Sequence, residues 1–359
     1  MSRLAPSRPL TALIHREALV HNLRRARAAA PNARILAVVK ANAYGHGLLT
    51  VARALAEADG FGVLGLEEAV RLREAGFAHP IVLLEGPFAA ADVTEAARLG
   101  LTLVVHSEEQ VAMLEAASPA RPLDVFLKVN TGMNRLGFAP EAFATVRARL
   151  RALPAVGRMT AMTHFATADE PAGLGRQFEV FRALIGPTMP FSAANSAALL
   201  RHPETHGDWV RPGIMLYGAS PFEDVPAAVL GLQPAMTLVS RIIAVQRLRR
   251  GDAVGYGATF VAEGDMRVGI VACGYADGYP RHAGTGTPVL VAGQRSRTLG
   301  RVSMDMLCVD LSHLPEAGVG TPVTLWGQGL PVEEVARAAG TISYELLTGR
   351  AERVPLREA

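Results

Sequence analysis

Short, continuous apolar runs alternate with amphipathic segments between residue 33 and about residue 217. The runs are RILAVVK (34–40), FGVLG (61–65), IVLLEG (81–86), LTLVVHS (101–107), DVFLKVN (124–130), MTAMTHFA (159–166), PFSAANS (190–196) and VRPGIMLYG (210–218). The segments between them carry apolar residues at helical spacing, and several end at glycine. Apolar strands separated by helices are typical of a parallel sheet. About eight such units in roughly 200 residues favour a closed, TIM-type (β/α)8 barrel over an open sheet.

The pattern changes after residue 218. Strand-like runs punctuated by Gly and Pro replace the helical segments, as in MTLVSRIIAVQRL, TPVLVAG and TPVTLWG, and PVEEVARAAG is the one late helix that we predict. The stretch 218–234 is rich in Pro and Gly, as is typical of a linker. We therefore predict an α/β protein with an N-terminal barrel at 1–230 and a C-terminal, mainly β domain at 231–359.

Composition narrows the functional classes. The chain has 359 residues, is 50% hydrophobic and carries a net charge of only +3, which indicates a well-buried protein and gives no basic patch for nucleic acid. Cys273 and Cys308 are too few for a disulfide framework or a zinc site, so we expect no metal. The N-terminus lacks the apolar stretch of a signal peptide, and no segment resembles a membrane span. These features predict a cytoplasmic enzyme.

Lysine is used only twice, at Lys40 and Lys128, although the chain has 36 Lys and Arg residues. An arginine cannot be deprotonated in a protein, whereas a lysine amine can be, and it can then react with an aldehyde. Lys40 follows an apolar run and begins the loop KANAYGHG. A snorkelling surface lysine and a chemically active one both remain open from this local pattern.

Polar residues fall where the predicted strands end. Lys40 follows the first strand, Arg135 lies in the loop after the fifth, and His164 ends the sixth. Asn195-Ser196 end the seventh strand, and Arg211-Pro212-Gly213 lie in the eighth. Because active sites of such barrels lie at the carboxyl ends of the strands, we expect these residues to meet at one face.

The last two units also offer what a phosphate group requires. Ser196 supplies a hydroxyl, and the chain around Gly213 and Ile214 supplies backbone N–H groups at close approach. Taken singly, Ser196 reads equally as a helix cap, Gly213 as a bulge and His164 as a satisfied core histidine. Together with Lys40 they indicate a phosphate-bearing aldehyde cofactor, pyridoxal 5'-phosphate (PLP).

Nine motifs in order then give the chain a close resemblance to the bacterial alanine racemases, the barrel class (fold type III) of PLP enzymes. They are KANAYGHG (40–47), KVNTGMNRLG (128–137), THFATADE (163–170), ANSAA (194–198), RPGIMLYG (211–218), VGYGATF (254–260), GYADGYPR (274–281), GRVSMD (300–305) and ISYELL (342–347). The resemblance covers nearly the whole length. It implies an isomerase that interconverts L-alanine and D-alanine, for peptidoglycan synthesis or for alanine catabolism.

The same resemblance implies two catalytic bases. Lys40 matches the lysine that binds the cofactor, and Tyr256 matches a second base on the opposite face of the substrate. Racemisation needs one group to remove the Cα proton and another to return a proton from the other side. Arg211 matches the residue that bonds the pyridine nitrogen, and His164 would hold Arg211 and tune Tyr256.

Further roles follow from the resemblance residue by residue. The implied cofactor contacts are Lys40, Tyr44, Arg135, His164, Asn195, Ser196, Arg211, Gly213, Ile214 and Tyr344. Arg135 and the backbone of Met304 would bind the substrate carboxylate, and the residue matching Lys128 is carbamylated in some members. Asn130 departs from the aspartate that the family often has there, which leaves the carbamate open. The implied entry path comprises Asp169, Tyr275, Arg281 and Arg301, and the active site is shared between the chains of a homodimer.

Three alternatives stay open beside alanine racemisation. A broader racemase acting on serine or lysine would use the same scaffold, because one methylene is discriminated by only about 1–3 kcal/mol. A barrel-class decarboxylase lacks support, since neither its Gly-rich phosphate loop nor its C-terminal Cys-Asp site is present. A non-enzymatic PLP carrier built from one barrel would not need the second domain. We expect a small-molecule substrate, with no nucleic acid and no membrane as partner.

Overall fold

The computed structural model describes residues 7–359, which form two eight-stranded sheets and one two-stranded sheet. Residues 1–6 lie outside the described residues. They include the start of the predicted first domain and of the N-terminal segment that was compared with a signal peptide. The strands are β1 (Thr11–Ile14), β2 (Arg34–Val38), β3 (Gly60–Val63), β4 (Ile81–Leu83), β5 (Thr102–Val105), β6 (Leu123–Lys128), β7 (Val156–Met162), β8 (Phe191–Ser192), β9 (Trp209–Val210), β10 (Met236–Leu248), β11 (Ala253–Val254), β12 (Phe260–Val261), β13 (Met266–Val271), β14 (Pro288–Val291), β15 (Gln294–Leu299), β16 (Leu307–Asp310), β17 (Pro322–Trp326) and β18 (Leu356–Glu358).

Helices separate the strands of the first sheet and are rare in the second. They are α1 (Arg16–Ala29), α2 (Lys40–Tyr44), α3 (Leu48–Ala54), α4 (Leu66–Glu74), α5 (Ala90–Leu99), α6 (Glu108–Ala116), α7 (Phe143–Ala152), α8 (Gln177–Ile185), α9 (Ser196–Arg201), α10 (Val332–Ala338) and α11 (Ser343–Thr348). None of the helices within residues 7–359 is both long and apolar enough to span a bilayer.

The first sheet is the predicted barrel. Its strands run parallel in the order β8-β7-β6-β5-β4-β3-β2-β9, and a backbone hydrogen bond of 2.9 Å from Arg211 N to Ala194 O joins the segments after β9 and β8. One apolar cluster comes from six different strands of this barrel: Leu36, Val82, Val104, Phe126, Met162 and Trp209. The predicted fold class, a (β/α)8 barrel with a mainly β second part, is confirmed.

Two details of the predicted elements are wrong. The run VRPGIMLYG was expected to be a strand, but β9 ends at Val210 and Ile214–Tyr217 form a 3-10 turn. Pro212 has no N–H to donate to a sheet ladder, so the strand cannot continue through it. Arg211 and Gly213 consequently follow the eighth barrel strand and do not lie within it. His164 and Asn195-Ser196 likewise lie beyond the sixth and seventh strands, which end at Met162 and Ser192. The second error is in the late helices, because α11 follows α10 where only one helix was predicted.

The second sheet closes on itself as a six-stranded ring. Its order is β13-β16-β15-β14-β17-β10, and β10 also pairs with β13. The 13-residue β10 makes this possible, because its first half pairs with β17 and its second half pairs with β13. The hairpin β11–β12 is separate from this ring.

Strand β1 belongs to this second sheet, although it precedes the barrel in sequence. It pairs antiparallel with β10, where Ala12 lies opposite Leu238, and parallel with β18, where Ala12 lies opposite Leu356. The barrel is therefore inserted between two strands of one sheet. The domain boundaries at 1–230 and 231–359 remain a prediction from the sequence.

Candidate active site

A cavity of about 400 Å³ opens at the carboxyl ends of the barrel strands. Eleven of the residues singled out in the sequence line it: Lys40, Tyr44, Lys128, Arg135, His164, Asn195, Ser196, Arg211, Gly213, Ile214 and Tyr344. Volumes of this size suit small-molecule sites. The strand-end rule thus brings together residues from Lys40 to Ile214, about 170 positions apart, and Tyr344 joins them from α11.

The turn that carries Lys40 is left-handed. Ala41, Asn42, Ala43 and Tyr44 all have φ between 50° and 55°. In a left-handed turn each Cβ lies too close to the next carbonyl oxygen, which costs about 1–2 kcal/mol per residue. Only Gly, and to some extent Asn, tolerates this conformation. Such strain persists only where the surroundings fix the backbone.

The carboxylate of Glu68, on α4, fixes this turn from the neighbouring βα unit. It accepts hydrogen bonds from the backbone N–H groups of Asn42 and Leu64, each at 3.1 Å. The Asn42 side chain in turn accepts from the N–H of Leu48 at 2.9 Å and begins α3. Bonds to a charged acceptor are stronger than bonds between neutral groups, so Glu68 opposes the strain of the turn directly.

An aromatic stack supports the turn from below. The rings of Tyr44 and Tyr217 are stacked with centroids 4.5 Å apart, and His46 packs on Tyr217 at 4.7 Å. The Tyr217 hydroxyl donates to Val38 O, two residues before Lys40, at 2.9 Å. Burial raises the pKa of Tyr44 to about 12, so its hydroxyl is a proton donor at neutral pH.

Four donors meet at one end of the cavity. Ser196 Oγ accepts from Gly213 N at 2.9 Å, which leaves the hydroxyl proton free to donate. The hydroxyls of Tyr44 and Tyr344 and the N–H of Ile214 make no hydrogen bond with any residue of the range 7–359. A Cβ placed on Gly213 would lie 2.5 Å from the Tyr44 hydroxyl oxygen, so only glycine leaves this end open. The group suits a phosphate.

Tyr344 reaches the cavity from the second half of the chain. Its helix, α11, contacts the Lys40 turn because Gly45 has no side chain: a Cβ there would lie 2.1 Å from Leu347 O. Arg350 donates to Gly45 O at 2.8 Å and fastens the contact. The pKa of Tyr344 is raised, mainly by burial of its hydroxyl and then by Tyr44 and Asp169.

Arg211 is fully enclosed and held in a fixed orientation. Its guanidinium donates to Ser192 Oγ at 2.7 Å and, through Nη2, to Thr163 O at 2.8 Å, to Ala193 O at 3.2 Å and to His164 Nδ1 at 3.2 Å. Burial and then Arg211 hold the pKa of His164 well below its usual value, so the imidazole is neutral and Nε2 carries the proton. Nε of Arg211 makes no hydrogen bond within residues 7–359 and is available to a ligand.

The cavity is strongly cationic. It contains Lys40, Lys128, Arg135 and Arg211 but only one carboxylate among the described residues, that of Glu85. Burial, then Arg135, lowers the pKa of Lys40 from its usual value. Burial, then Arg211 and Arg135, lowers the pKa of Lys128 to about 8. Both amines therefore lose a proton more easily than an exposed lysine does.

Asn130 organises the loop that presents Arg135. Its side-chain oxygen accepts from the N–H groups of Gly132 at 3.1 Å and Asn134 at 2.9 Å, and its amide nitrogen donates to Asn134 Oδ1 at 2.9 Å. Asn134 has φ of 56°, which asparagine tolerates. The Arg135 side chain itself is exposed and makes no hydrogen bond within residues 7–359.

Six of the singled-out residues do not line this cavity: Asp169, Tyr256, Tyr275, Arg281, Arg301 and Met304. Tyr256 lies in the hairpin loop between β11 and β12 and is 69% exposed, and Met304 is 53% exposed. Arg281 and Arg301 line a second cavity of about 500 Å³ together with Thr259 and His282. The hairpin loop with Tyr256 and the second cavity both belong to the C-terminal part of the chain.

An ion network fixes the segment around Met304. The buried Asp277 carboxylate accepts from Arg8 and from Arg353, the latter at 2.7 Å. Arg353 also bonds Asp305, the neighbour of Met304, at 2.6 Å. The Met304 N–H has no acceptor among residues 7–359, so this rigid segment presents a free donor.

Sequence reasoning missed the residues that act behind the cavity wall. Glu68, Glu85, Ser192 and Tyr217 carry no distinctive local pattern, and their contacts reach as far as 179 positions along the chain. Glu85 alone had a detectable signal, because it lies two residues after the third barrel strand, where the strand-end rule applies. Among residues 7–359 no cluster of His, Cys, Asp or Glu could hold a metal ion.

Comparison with known proteins assigns both halves of the chain to one family. Residues 14–221 match the model of the alanine racemase N-terminal domain, and residues 235–358 match the model of the C-terminal domain. The alanine racemase of Nitrosospira multiformis is 60% identical over 97% of this chain and 99% of its own length. That of Thiobacillus denitrificans is 62% identical over 98% of this chain and 96% of its own length.

Solved structures agree with these sequence matches. The biosynthetic alanine racemase of Pseudomonas aeruginosa superposes with a TM-score of 0.95 at 51% identity, over 98% of this chain and 99% of the other. The enzyme of Acinetobacter baumannii gives 0.91 at 40% identity, over 98% and 100%. The chain belongs to the alanine racemase family.

Proposed function

We propose that this chain is a PLP-dependent racemase that interconverts L-alanine and D-alanine. The observation that carries the proposal is the cavity itself. A lysine with a lowered pKa stands in the same cavity as four unpaired phosphate donors and an enclosed arginine. Family membership and relatives about 60% identical over nearly the full length support alanine as the substrate.

The residues present fit PLP at each of its functional groups. The phosphate would accept from Tyr44, Ser196, Ile214 and Tyr344, whose donors have no other partner or keep one free. Gly213 is compatible with this because any larger residue would fill the space beside the Tyr44 hydroxyl. Asn195 borders the same end and caps α9 through Ala198 N at 3.0 Å.

Lys40 would hold the cofactor and act as a base on one face of the substrate. When bound, PLP withdraws electrons from Cα and makes its proton more acidic. With substrate bound, the Lys40 amine would lie beside Cα and would carry or accept one proton. Its lowered pKa supports this role, because a base whose pKa approaches the working pH transfers protons in both directions.

Tyr256 would act on the opposite face, supplied by the partner in a homodimer. Its ring is 69% exposed and does not line the cavity of its own chain. Met304, which carries a free N–H, is also exposed and also lies outside that cavity. Such features are expected where one protomer completes the site of the other in a two-fold arrangement. The neutral His164, with its proton on Nε2, would donate a hydrogen bond to the Tyr256 oxygen and position it.

Arg211 would bond the pyridine nitrogen through Nε. A guanidinium donates a hydrogen bond but has no proton to transfer, so the ring nitrogen stays unprotonated. Arg211 keeps its charge at neutral pH even though burial lowers its pKa to about 10. By keeping the ring nitrogen unprotonated, Arg211 would favour racemisation over transamination.

Arg135 and Met304 would bind the substrate carboxylate, one through its guanidinium and the other through its backbone N–H. The entry path would be formed by two surfaces that meet in the dimer. One is the second cavity, with Arg281, Arg301 and the nearby Tyr275. The other is the partner's side of the site, where Asp169 lies close to Tyr344. Cationic walls attract an amino acid by its carboxylate.

We place the enzyme in the cytoplasm.

A test of the cofactor assignment uses the scarcity of lysine in this chain. Borohydride reduction of the purified protein should fix PLP on the peptide that contains Lys40. Label on Lys128 would contradict the assignment. The holoenzyme should also abolish the circular dichroism of L-alanine and of D-alanine alike, and much slower loss with serine and lysine would separate an alanine racemase from a broader one. A protein that binds PLP on Lys40 but racemises none of these would be a carrier.

A further inference from the structure

Gln177 is a buried glutamine that begins α8 and contacts two loops at the cavity end of the barrel. Its side-chain oxygen accepts a hydrogen bond from Ala166 N at 2.9 Å. Its amide nitrogen donates to His164 O at 3.2 Å and to Thr131 Oγ1 at 3.4 Å. His164 and Ala166 lie in the loop after β7, and Thr131 lies in the loop after β6. One side chain therefore joins the loop that carries His164 to the loop that carries Arg135.

The donors and acceptors at this junction are matched. Thr163 Oγ1 donates to Val129 O at 3.1 Å, so Thr131 is the donor in the 2.7 Å bond between the two threonine hydroxyls. Thr131 has then used its one proton and accepts from the Gln177 amide. Gly132 packs beside the glutamine, and a Cβ there would lie 3.2 Å from Gln177 Cγ. An apolar residue in place of Gln177 would leave buried polar groups of both loops unpaired.

The two joined loops support opposite parts of the site. The loop after β7 holds Arg211, which donates to Thr163 O at 2.8 Å and to His164 Nδ1 at 3.2 Å. Arg135, on the other loop, makes no hydrogen bond within residues 7–359, so its position depends on how its loop is fixed. The bonds of Asn130 shape that loop from within, whereas Gln177 attaches it to its neighbour.

We propose that Gln177 is a positioning residue that fixes Arg135 relative to the rest of the site and thereby determines how tightly the substrate carboxylate binds. The proposal rests on the proposed function, in which Arg135 binds that carboxylate. A guanidinium binds a carboxylate well only in a defined orientation, and an exposed arginine on a loose loop would sample many others. The contact from Gln177 to Thr131 restricts this sampling.

Gln110 on α6 provides a matched control. It is also buried, its side-chain oxygen accepts from His106 N at 2.8 Å, and its amide nitrogen donates to Glu85 O at 2.8 Å. It therefore joins the loops after β5 and β4 in the way that Gln177 joins the loops after β7 and β6. Neither of the loops that Gln110 joins bears a residue assigned to the substrate.

The test measures binding of propionate to the holoenzyme by calorimetry, because propionate has the carboxylate and the methyl group of alanine but no amine. We expect Gln177→Met, which keeps the side-chain length and removes its hydrogen bonds, to weaken propionate binding about tenfold. Thr131→Val, which removes the hydroxyl at the other end of the contact, should have a smaller effect in the same direction. The double variant should lose less than the product of the two single effects, because both changes break one contact. Gln110→Met should bind propionate as the wild type does.

Reaction of bound PLP with methoxyamine separates positioning from general damage, because methoxyamine has an amine but no carboxylate. Its rate, followed by visible absorbance, should be the same in Gln177→Met and in the wild type, and a changed rate would mean a damaged site and overturn the proposal. Wild-type propionate affinity in Gln177→Met, or an equal loss in Gln110→Met, would also overturn it. If Gln177→Met does not fold, Thr131→Val decides by the same comparison, and an unchanged affinity there overturns the role of Gln177.

Failure of the proposed function gives a different result. A wild-type protein that binds PLP but no propionate would contradict the assignment of the carboxylate site itself, together with the role of Gln177. Propionate binding that is equal in the wild type and the variants would contradict only the role of Gln177.

Discussion

Removing the Glu68 carboxylate should loosen the left-handed turn that carries Lys40. Three of its residues, Ala41, Ala43 and Tyr44, are types that disfavour positive φ, at about 1–2 kcal/mol each, or roughly 3–6 kcal/mol together. The bond from Asn42 N to Glu68 returns about 1.5–3 kcal/mol of this cost. The second bond, from Leu64 N, holds the Glu68 carboxylate in place from outside the turn. The turn therefore depends in part on this carboxylate.

In Glu68→Ala, water can replace part of the lost bonding because Glu68 is half-buried, so we take the lower part of the range for the Asn42 bond, about 1.5–2 kcal/mol. Without PLP the turn can relax, and PLP binding must then restore the strained form. PLP should consequently bind roughly 10- to 30-fold more weakly. Titration of the apoprotein with PLP, followed by visible absorbance, measures this directly.

The matched control is Glu67→Ala, which removes an exposed glutamate from the adjacent position of α4. It changes helix composition equally but touches neither N–H group. The reasoning is refuted if Glu68→Ala binds PLP as tightly as Glu67→Ala does, because the carboxylate would then contribute nothing to the turn. Glu68→Gln should lie between the two, since one amide oxygen can still accept.

Three further outcomes follow from the site. Inactive Lys40→Ala and Tyr256→Ala proteins, mixed under subunit exchange, should recover about a quarter of wild-type activity, because half of the dimers are mixed and each has one intact site; persistent inactivity despite exchange would rule out the shared site. Gly213→Ala should weaken PLP binding at least tenfold, because the new methyl group would lie 2.5 Å from the Tyr44 hydroxyl oxygen and displace it; unchanged affinity in the same titration would mean that the phosphate binds elsewhere. The rate of PLP binding, followed by stopped-flow absorbance, should rise with pH and level off below the usual pKa of lysine, because only the neutral Lys40 amine reacts. Arg135→Ala should move the inflection of this profile to higher pH; an unchanged inflection would exclude Arg135 as a cause of the lowered Lys40 pKa.

The barrel could be predicted from sequence because its signals are local. Each parallel strand is a continuous apolar run, and the strand-end rule then predicts that residues following the strands lie on one face of the barrel. Lys40, His164 and Arg211 were predicted to meet there on this basis alone. The rule does not predict whether the backbone of a loop is left-handed. Nothing in KANAYGHG indicates that alanines at 41 and 43 adopt positive φ, because that conformation is imposed by Glu68 from another unit.

The second domain was harder to predict for a related reason. Strand β1 reads as part of the barrel region because its partners, β10 and β18, lie more than 200 residues away. Tyr256 illustrates the limit most clearly. Its surroundings in VGYGATF suit a core or surface tyrosine equally, and its proposed role depends on a second chain, which no pattern within one sequence encodes.

The pairing of β1 with β10 also has a consequence for the order in which the protein is made. On the ribosome, β1 emerges about 220 residues before β10 begins, which at 5–20 residues per second is a wait of roughly 10–45 s. Throughout that time Ala12 and Ile14, fully buried in the finished protein, have no sheet to join, while the whole barrel is translated and can fold. The unpaired strand therefore stays exposed to other nascent chains for that interval, after the barrel strands that follow it can already pair with one another.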